Sequence, residues 1–569
     1  MQTPNAPWLK AYGSVPHTLT YPDCSMHDLV SAAAEKYPDN TALDFFGVKT
    51  TYRALMREID GCARALMALG VGEGERVTIC MPNMPQAVVM FYAVNKIGAV
   101  ANMVHPLSAE EELVFYLNIS GSRIALTMDR FYPKFEHILP KTNLKTLILT
   151  GAEDGLRGLK KIGYALAQLG KEKKLKTGGL ILRWRDFIAR GRAFTGQALR
   201  PRTGGDEAAV LYSGGTSGKT KGISLSNLNF NALALQTAAA GDCITPGHIM
   251  LAVLPLFHGF GLGVCIHTTL TQGCTALLVP QFSVDSFIEL LRKHRPHYIA
   301  GVPTLFEAIL RSEKSKTLDF SRLEGIFSGG DTLPVELKRR MDAFLKERGA
   351  SVQIREGYGL TECVTASCLT PKDFHKEGSI GIPYPDTYYK IVKPGTQETV
   401  PYGETGEICL TGPTLMRGYL GEPEETAQAL QAHADGRVWL HTGDLGFMDE
   451  DGFVYFRQRI KRVIVSSGYT IYPSHIENAF LLHPAVSSCC VIGVPDDYKM
   501  QKPKAFVVLK EGVAPSDETK KELFRHIEKH VARYARPYDI EFRDALPKTL
   551  VGKIAYTVLE KEEAERRRA

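Results

Sequence analysis

The run Tyr212-Ser-Gly-Gly-Thr-Ser-Gly-Lys-Thr-Lys-Gly222 concentrates groups that hold phosphate. Gly214, Gly215 and Gly218 let backbone N–H groups converge on an anion. The hydroxyls of Ser213, Thr216, Ser217 and Thr220 add donors, and Lys219 and Lys221 add charge, which together describe a polyphosphate cradle. The run is not a Walker loop. Ser213 stands where its first glycine would fall, and Ile223-Ser-Leu-Ser226 alternates like a strand where that loop would open a helix. A plain flexible turn would carry the same residues, so the rest of the chain must decide.

Downstream stand Pro255-Leu-Phe-His-Gly259, Ser328-Gly-Gly-Asp331, Tyr358-Gly-Leu-Thr-Glu362, Thr442-Gly-Asp-Leu-Gly446, Arg457-Gln-Arg-Ile-Lys461, Ser467-Gly-Tyr469 and Pro547-Lys-Thr-Leu-Val-Gly-Lys553. In this order and spacing they resemble the core motifs of the adenylate-forming superfamily of acyl-CoA synthetases, peptide-synthetase adenylation domains and luciferases. The resemblance covers nearly the whole chain. It implies that a carboxylate attacks the α-phosphate of ATP to give an acyl-adenylate and pyrophosphate, and that the acyl group then passes to a thiol.

The resemblance also implies a role for each matching residue. Lys553 would bridge carboxylate and α-phosphate oxygens during adenylation, a task suited to a compact cation. Thr361 would hydrogen-bond the α-phosphate, and Glu362 would be the Mg²⁺ ligand, since that ion takes one or two carboxylates with waters and substrate phosphates. Tyr358, followed by Gly359, would offer a face on which adenine can stack, Gly329, Gly330 and Asp331 would line the adenine and acyl pockets, and His258 would stand in a pocket wall that suits an uncharged tail. Asp444 would accept both ribose hydroxyls, and Arg459 would also contact the nucleotide. Lys461 occupies the hinge position, and Gly468 would lie against the pantetheine of CoA.

Several positions depart from that pattern. Gly214 replaces the usual Ser or Thr, Thr220 the usual Pro before the lysine, and Val551 the usual Ser or Thr of the last motif. Each removes a donor or a loop restraint, which predicts a slower enzyme rather than an inactive one. No acidic residue stands near His258 to hold an ammonium group, which argues against amino-acid substrates. The wording around His258 and Tyr358 most resembles bacterial medium- to long-chain fatty acyl-CoA synthetases, with glycines after His258 opening a path for an acyl chain.

The elements that must position these residues are legible as alternation. Helical stretches at Tyr52–Leu69 and Pro85–Ile97 alternate with apolar runs at Arg76–Met81, Arg123–Met128 and Thr146–Thr150, which predicts parallel sheet with covering helices. After Arg457 to Ser466 the texture changes. Strand-like Ser488–Val494, strand-like Ala505–Leu509, the helix Ser516–Tyr534 and strand-like Ile540–Phe542 read as a short α+β unit. The expected fold class is therefore α/β, with a large N-terminal domain of layered sheets and helices over 1–460 and a small, mobile α+β lid domain over 461–569.

With 569 residues, 44% hydrophobic, and a net charge of +6, the chain reads as globular and carries no sign of a nucleic-acid partner. The average hides a local excess. Arg157 to Arg202 holds thirteen Lys and Arg against two acids, leaving the remainder at −5. This Trp-bearing insertion is either a solvated loop or a peripheral contact with an anionic membrane. Eleven cysteines without a C-x-x-C pair indicate neither a zinc site nor a disulfide framework and suit a reducing, cytoplasmic home. The uncharged stretch Ile249–Ile266, broken by Pro255, His258 and glycines, reads as buried strand and loop rather than a membrane span. The expected activity is an ATP-dependent fatty acid:CoA ligase using ATP, Mg²⁺ and CoA. The alternatives are loading of a carrier-protein pantetheine, or a nucleotide- and acyl-binding protein that has lost turnover.

Overall fold

A computed structural model describes residues 6–158, 160–161, 179–196, 201–213, 220–466, 469–496, 500–549 and 553–568. Two large sheets, mostly parallel, form the body. The first is nine-stranded. It runs from the short edge strands Ile382–Pro383 and Cys368–Leu369 through Ile354–Tyr358, Gly325–Ser328, Tyr298–Gly301, Ile249–Ala252, Thr275–Leu278 and Thr41–Phe45 to Val48–Thr51. The second is eight-stranded and has Glu207–Ser213, Val100–Met103, Arg76–Cys80, Ile124–Met128 and Thr146–Thr150 side by side, with the antiparallel Lys221–Ser226 next to Glu207–Ser213.

The helices follow from their apolar pattern. Pro85–Lys96 is apolar on every side, and every residue from Pro85 to Asn95 is buried, as expected of a helix enclosed by other elements rather than lying on a surface. Asn227–Gly241 is mostly buried as well, its Asn227, Asn229, Asn231 and Gln236 included, and its first turn is capped by Ser226, whose Oγ accepts the Asn229 N–H at 3.3 Å. Tyr52–Ala68 is amphipathic, with Leu55, Ile59, Cys62 and Leu66 on its buried face.

The uncharged stretch resolves into the strand Ile249–Ala252, a turn, and a helix over Phe260–Thr268 of the wide, π type. The helical half corrects the strand-and-loop expectation: period 2 and period 3.6 cannot be separated in the continuous apolar run from Phe260 to Ile266. All nine of its residues are buried. The glycines are packing positions, not an opened path. A Cβ on Gly259 would sit 1.8 Å from Val364 O, on Gly261 2.1 Å from Pro255 O, and on Gly263 2.5 Å from Leu233 Cδ2.

In the basic segment, helix Trp184–Ala193 docks on Tyr52–Ala68. Phe187 is fully buried, and a Cβ on Gly191 would meet Gly61 O at 2.5 Å. Its apolar face is thus occupied by protein, and Arg185, Arg190 and Arg192 face outward. No helix among the described residues is long and apolar enough to cross a membrane.

An antiparallel sheet follows, with Tyr388–Val392, Gly406–Thr411, Val438–Met448 and Val454–Arg459 as its main strands. The beginning of the chain is sewn into this part of the fold. Trp8 is 1% exposed, Tyr12 donates its hydroxyl to Pro383 O at 2.9 Å, and Gly452 lies so close that a Cβ there would be 2.6 Å from Trp8 N.

The smaller C-terminal domain has its own sheet, centred on the antiparallel pair Val486–Asp496 and Met500–Leu509, with Asp539–Phe542 parallel to the latter. Helices Pro473–Leu481 and Asp517–His530 cover it, and Ile476, Phe480, Val491, Val507, Leu523, Ile527 and Ile540 form a core separate from that of the body.

Candidate active site

Adjacent parallel strands Tyr298–Gly301, Gly325–Ser328 and Ile354–Tyr358 end side by side, and ligand sites in open α/β sheets lie beyond such carboxyl ends. Ser328 leads into Gly329, Gly330 and Asp331. Gly330 has φ +80°, a conformation open chiefly to glycine, and a Cβ there would come within 4.0 Å of Lys553 Cε. The tip of a C-terminal lysine thus lies against a loop of the large domain.

A cavity of about 670 Å³ opens at this point. Ser213, Lys221, His258, Gly330, Tyr358, Gly359, Thr361, Glu362, Arg459, Lys461 and Lys553 all border it. One flank is apolar, formed by Phe260, Val264, Phe327, Ala366 and Leu369, with Thr237 and Tyr384 beside them. Gly214, Gly215, Thr216, Ser217, Gly218 and Gly468 lie outside the described residues, as does Val551. Lys221–Ser226 on the far side of the glycine-rich run is a strand, which removes the Walker topology.

Lys553 comes from the segment Thr549–Ile554, which closes on itself: Thr549 N–H donates to Lys553 O at 2.7 Å and Lys553 N–H to Thr549 Oγ1 at 3.1 Å. Burial pushes the Lys553 ammonium below its ordinary pKa, and Asp331 partly offsets this. The Asp331 carboxyl is raised by the protein mass around it despite its accessible surface, with Lys553 opposing. His258 is pushed down to about 4, by burial first and by Lys553 second. Its Nδ1 accepts the Phe260 N–H at 3.3 Å, so the neutral ring carries its proton on Nε2.

Asp444 and Arg459 are cross-strand partners. Arg459 Nε lies 3.1 Å from Asp444 Oδ1, and Tyr358 donates its hydroxyl to Oδ2 at 2.7 Å. Asp444 is 1% exposed and its carboxyl is raised by burial, with Arg459 and Tyr358 pulling it back. Oδ1 is buried and makes no hydrogen bond among the described residues; Arg459 reaches it with charge alone, leaving acceptor capacity for a ligand.

Thr361 and Glu362 sit in the turn Thr361–Cys363, which ends at Val364 with φ +65°. A β-branched residue there is strained, and the surroundings impose it: Gly259 packs against Val364 O, and Gly359 so closely against Thr365 O that a Cβ would be 1.5 Å away. Glu362 Oε1 accepts the Tyr419 hydroxyl at 3.0 Å. Lys221 pairs with Glu425 and lies 4.4 Å over the Tyr419 ring. Below the site Glu356 is raised to about 8 by burial and accepts the Leu333 N–H at 3.1 Å.

Tyr419, Glu425, Glu356 and Val364 were not singled out from sequence. Tyr419 and Glu425 lie between motifs, and the strain at Val364 is a backbone property with no compositional mark. A cation at Glu362 would meet one carboxylate with its second oxygen free of Tyr419, a donor set that suits a hard divalent ion completed by water and phosphate.

Comparison with known proteins is consistent along the chain. A family model described as AMP-binding enzyme matches residues 30–420, and one described as AMP-binding enzyme C-terminal domain matches 475–553. The chain is 34% identical over 572 residues to a long-chain-fatty-acid–CoA ligase of Bacillus subtilis (strain 168), covering 98% of each. It superposes on the anthranilate CoA ligase AuaEII in complex with anthranoyl-AMP with a TM-score of 0.82 at 25% identity, covering 97% of this chain and 98% of that one. The corresponding values for ATP-bound MatB from Rhodopseudomonas palustris are 0.80, 25%, 94% and 98%.

Proposed function

The chain belongs to the AMP-binding enzyme family, and from that membership we infer that it is an AMP-forming fatty acid–CoA ligase. It converts a fatty acid and ATP to acyl-adenylate and pyrophosphate, then transfers the acyl group to CoA with release of AMP, using Mg²⁺. The observation that carries the reading to this chain's residues is Lys553, delivered from the smaller domain to the side of Gly330 and Asp331.

In this reading the apolar flank receives the acyl chain and directs its carboxylate toward Lys553 and Thr361. Carboxylate and α-phosphate repel, and Lys553 lowers that barrier by bridging their oxygens as negative charge gathers in the transition state. Neutral His258 offers an Nε2–H donor without adding a charge that would compete for the carboxylate. Asp444 accepts the ribose hydroxyls on Oδ1, oriented by Tyr358 and Arg459. Glu362 holds Mg²⁺, which supplies charge neutralisation at the phosphates, and Ser213 to Gly218 with Lys221 cradle the β- and γ-phosphates.

The two steps need different tools at one place. We place the boundary between the domains at 460/461, with Lys461 as the hinge about which the smaller domain withdraws Lys553 and brings Gly468 against the pantetheine. A carrier-protein pantetheine as acceptor uses the same chemistry. The basic segment 157–202 is a solvated loop or a peripheral membrane contact, and a contact here would act by charge, through the outward Arg190 and Arg192, because Trp184 and Phe187 are engaged in protein packing. Eleven free cysteines fit a cytoplasmic setting.

The test is carboxylate-dependent ATP–pyrophosphate exchange across acids from acetate to oleate and benzoates, followed by product mass with and without CoA. Exchange with an acyl-CoA mass supports the ligase. Exchange that stalls at acyl-AMP points to a carrier protein, and no exchange with any acid overturns the reading. Failure to sediment with anionic liposomes overturns the membrane contact alone.

A further inference from the structure

The antiparallel sheet that carries Asp444 holds a second group of ligand-type side chains. Cys409 and His441 are paired across Gly406–Thr411 and Val438–Met448, so both leave the same face. Glu407 precedes Cys409 by two and shares it. The register shifts between Glu407 and Cys409, and a bulge of this kind re-aims side chains. Here Glu407 Oε2 lies 2.9 Å from His441 Nδ1, while its Oε1 accepts the Gly443 N–H at 2.9 Å.

A carboxylate oxygen, a sulfur and a ring nitrogen from these three residues lie within 4.8 Å of one another. The group is interior: Cys409 is fully buried, and the Glu407 and His441 side chains are each 7% exposed. His433, just past the strand Leu430–Ala432, places Nε2 3.0 Å from His441 Nε2. Its own Nδ1 is buried with no hydrogen-bond partner among the described residues.

We propose that Glu407, Cys409 and His441 bind one divalent cation of the Zn²⁺ class, with His433 fixing His441 through its second ring nitrogen. Carboxylate, thiolate and imidazole are donors that Zn²⁺ accepts, and three protein ligands leave a fourth, tetrahedral position for water. A metal-bound histidine commonly passes its other N–H to an acceptor. With His441 Nδ1 on the ion, Nε2–H donates to His433 Nε2, and the His433 proton rests on Nδ1. Glutamate and thiolate neutralise the dication, and the Cys409 thiol proton leaves to solvent as the sulfur–metal bond forms.

Access and selectivity follow from the same residues. Glu407 and His441 border the main cavity, which gives the ion a route inward. The sulfur and nitrogen donors disfavour Mg²⁺, a hard ion that prefers oxygen, so this site and Glu362 select different metals. Lys390, paired with Cys409 from the other side, lies over the Trp439 ring at 4.1 Å from its centroid. A positive charge there makes anionic ligands a requirement for holding a cation at all.

The probe is Co²⁺ added to the chelator-stripped full chain. The expected result is one equivalent bound with a thiolate-to-cobalt charge-transfer band in the near ultraviolet, displaced by Zn²⁺ and not by excess Mg²⁺. Cys409→Ser should lose the band, and His433→Gln should keep it while weakening Co²⁺ by about 10- to 100-fold. Should Cys409→Ser fail to fold, alkylation of the wild-type chain decides instead: stoichiometric Zn²⁺ should protect Cys409, read by peptide mass. Absence of a thiolate band, a band that survives Cys409→Ser, or alkylation of Cys409 unaffected by Zn²⁺ would each overturn the site. Any of these would leave the Glu407–His441–His433 contacts as hydrogen bonds alone.

Discussion

Tyr419 donates its hydroxyl to Glu362 Oε1 at 3.0 Å, and the same ring supports the Lys221 ammonium 4.4 Å from its centroid. One side chain therefore sets both the carboxylate assigned to Mg²⁺ and the lysine assigned to the phosphates. Tyr419→Phe keeps the ring and deletes the donor. A net hydrogen bond is worth about 1 kcal/mol, so the apparent Mg²⁺ requirement should rise about fivefold in ATP–pyrophosphate exchange with little change in acid KM. An unchanged Mg²⁺ midpoint would mean the hydroxyl does not orient Glu362.

Lys553→Ala should remove exchange by a factor of about 10² to 10³, the cost of losing one oxyanion contact. Thioester formation from supplied acyl-adenylate should survive. Lys553→Arg should rescue poorly, because a planar fork does not replace a compact ammonium that must follow a shifting oxyanion. Equal loss of both steps would show that the lysine holds the structure rather than the transition state.

The pH profile of exchange separates two groups. His258 titrates at about 4, so no limb should appear between pH 5 and 7. Lys553 is depressed by burial and must be protonated to bridge oxyanions. Activity should therefore be full below its folded pKa and fall as pH rises through it, with the basic limb below the ordinary lysine value of about 10.4. A limb near pH 6.5 would place a titrating histidine in the reaction.

The last helix, Tyr556–Arg568, is tied to its sheet by charge. Lys504 meets Glu541 at 2.8 Å and Glu563 at 2.7 Å, and Arg566 reaches both glutamates. Burial alone would raise Glu541, but Arg566 and Lys504 outweigh it and bring it to about 2. Its contribution is present above the unfolded value of about 4.3 and is lost as pH falls from there toward 2. Glu541→Gln should destabilise the C-terminal domain by about 1–3 kcal/mol at pH 7, and the gap in urea midpoint should narrow below the unfolded value of about 4.3 and close only as the pH nears 2.

Much of this was legible in the sequence because it was written as pattern. Thr146–Thr150 is a strand over the predicted residues, and Tyr52–Ala68 and Pro85–Lys96 end one residue short of their expected limits. The cavity residues were legible as motifs, because glycines and charged residues in fixed order need no contacts to be seen. Phe260–Thr268 was not, since a helix buried on all sides carries no periodic contrast. Glycines at 259, 261 and 263 suggested space, and only the packing of Val364, Pro255 and Leu233 against them shows closure. Tyr419 and Glu425 reach Glu362 and Lys221 through tertiary contact alone.

The seam between Trp8–Tyr12 and the 380–452 region also sets a clock. Tyr12 and Pro383 are 371 residues apart, and a ribosome adds about 5–20 residues per second. The opening segment therefore waits roughly 20–75 seconds before its partner emerges. During that interval Trp8, almost wholly enclosed in the finished protein, lacks the cover of Tyr388 and Gly452. Synthesis of this chain thus includes a window of exposure that chaperones can read, and slowing translation after residue 12 should lengthen it.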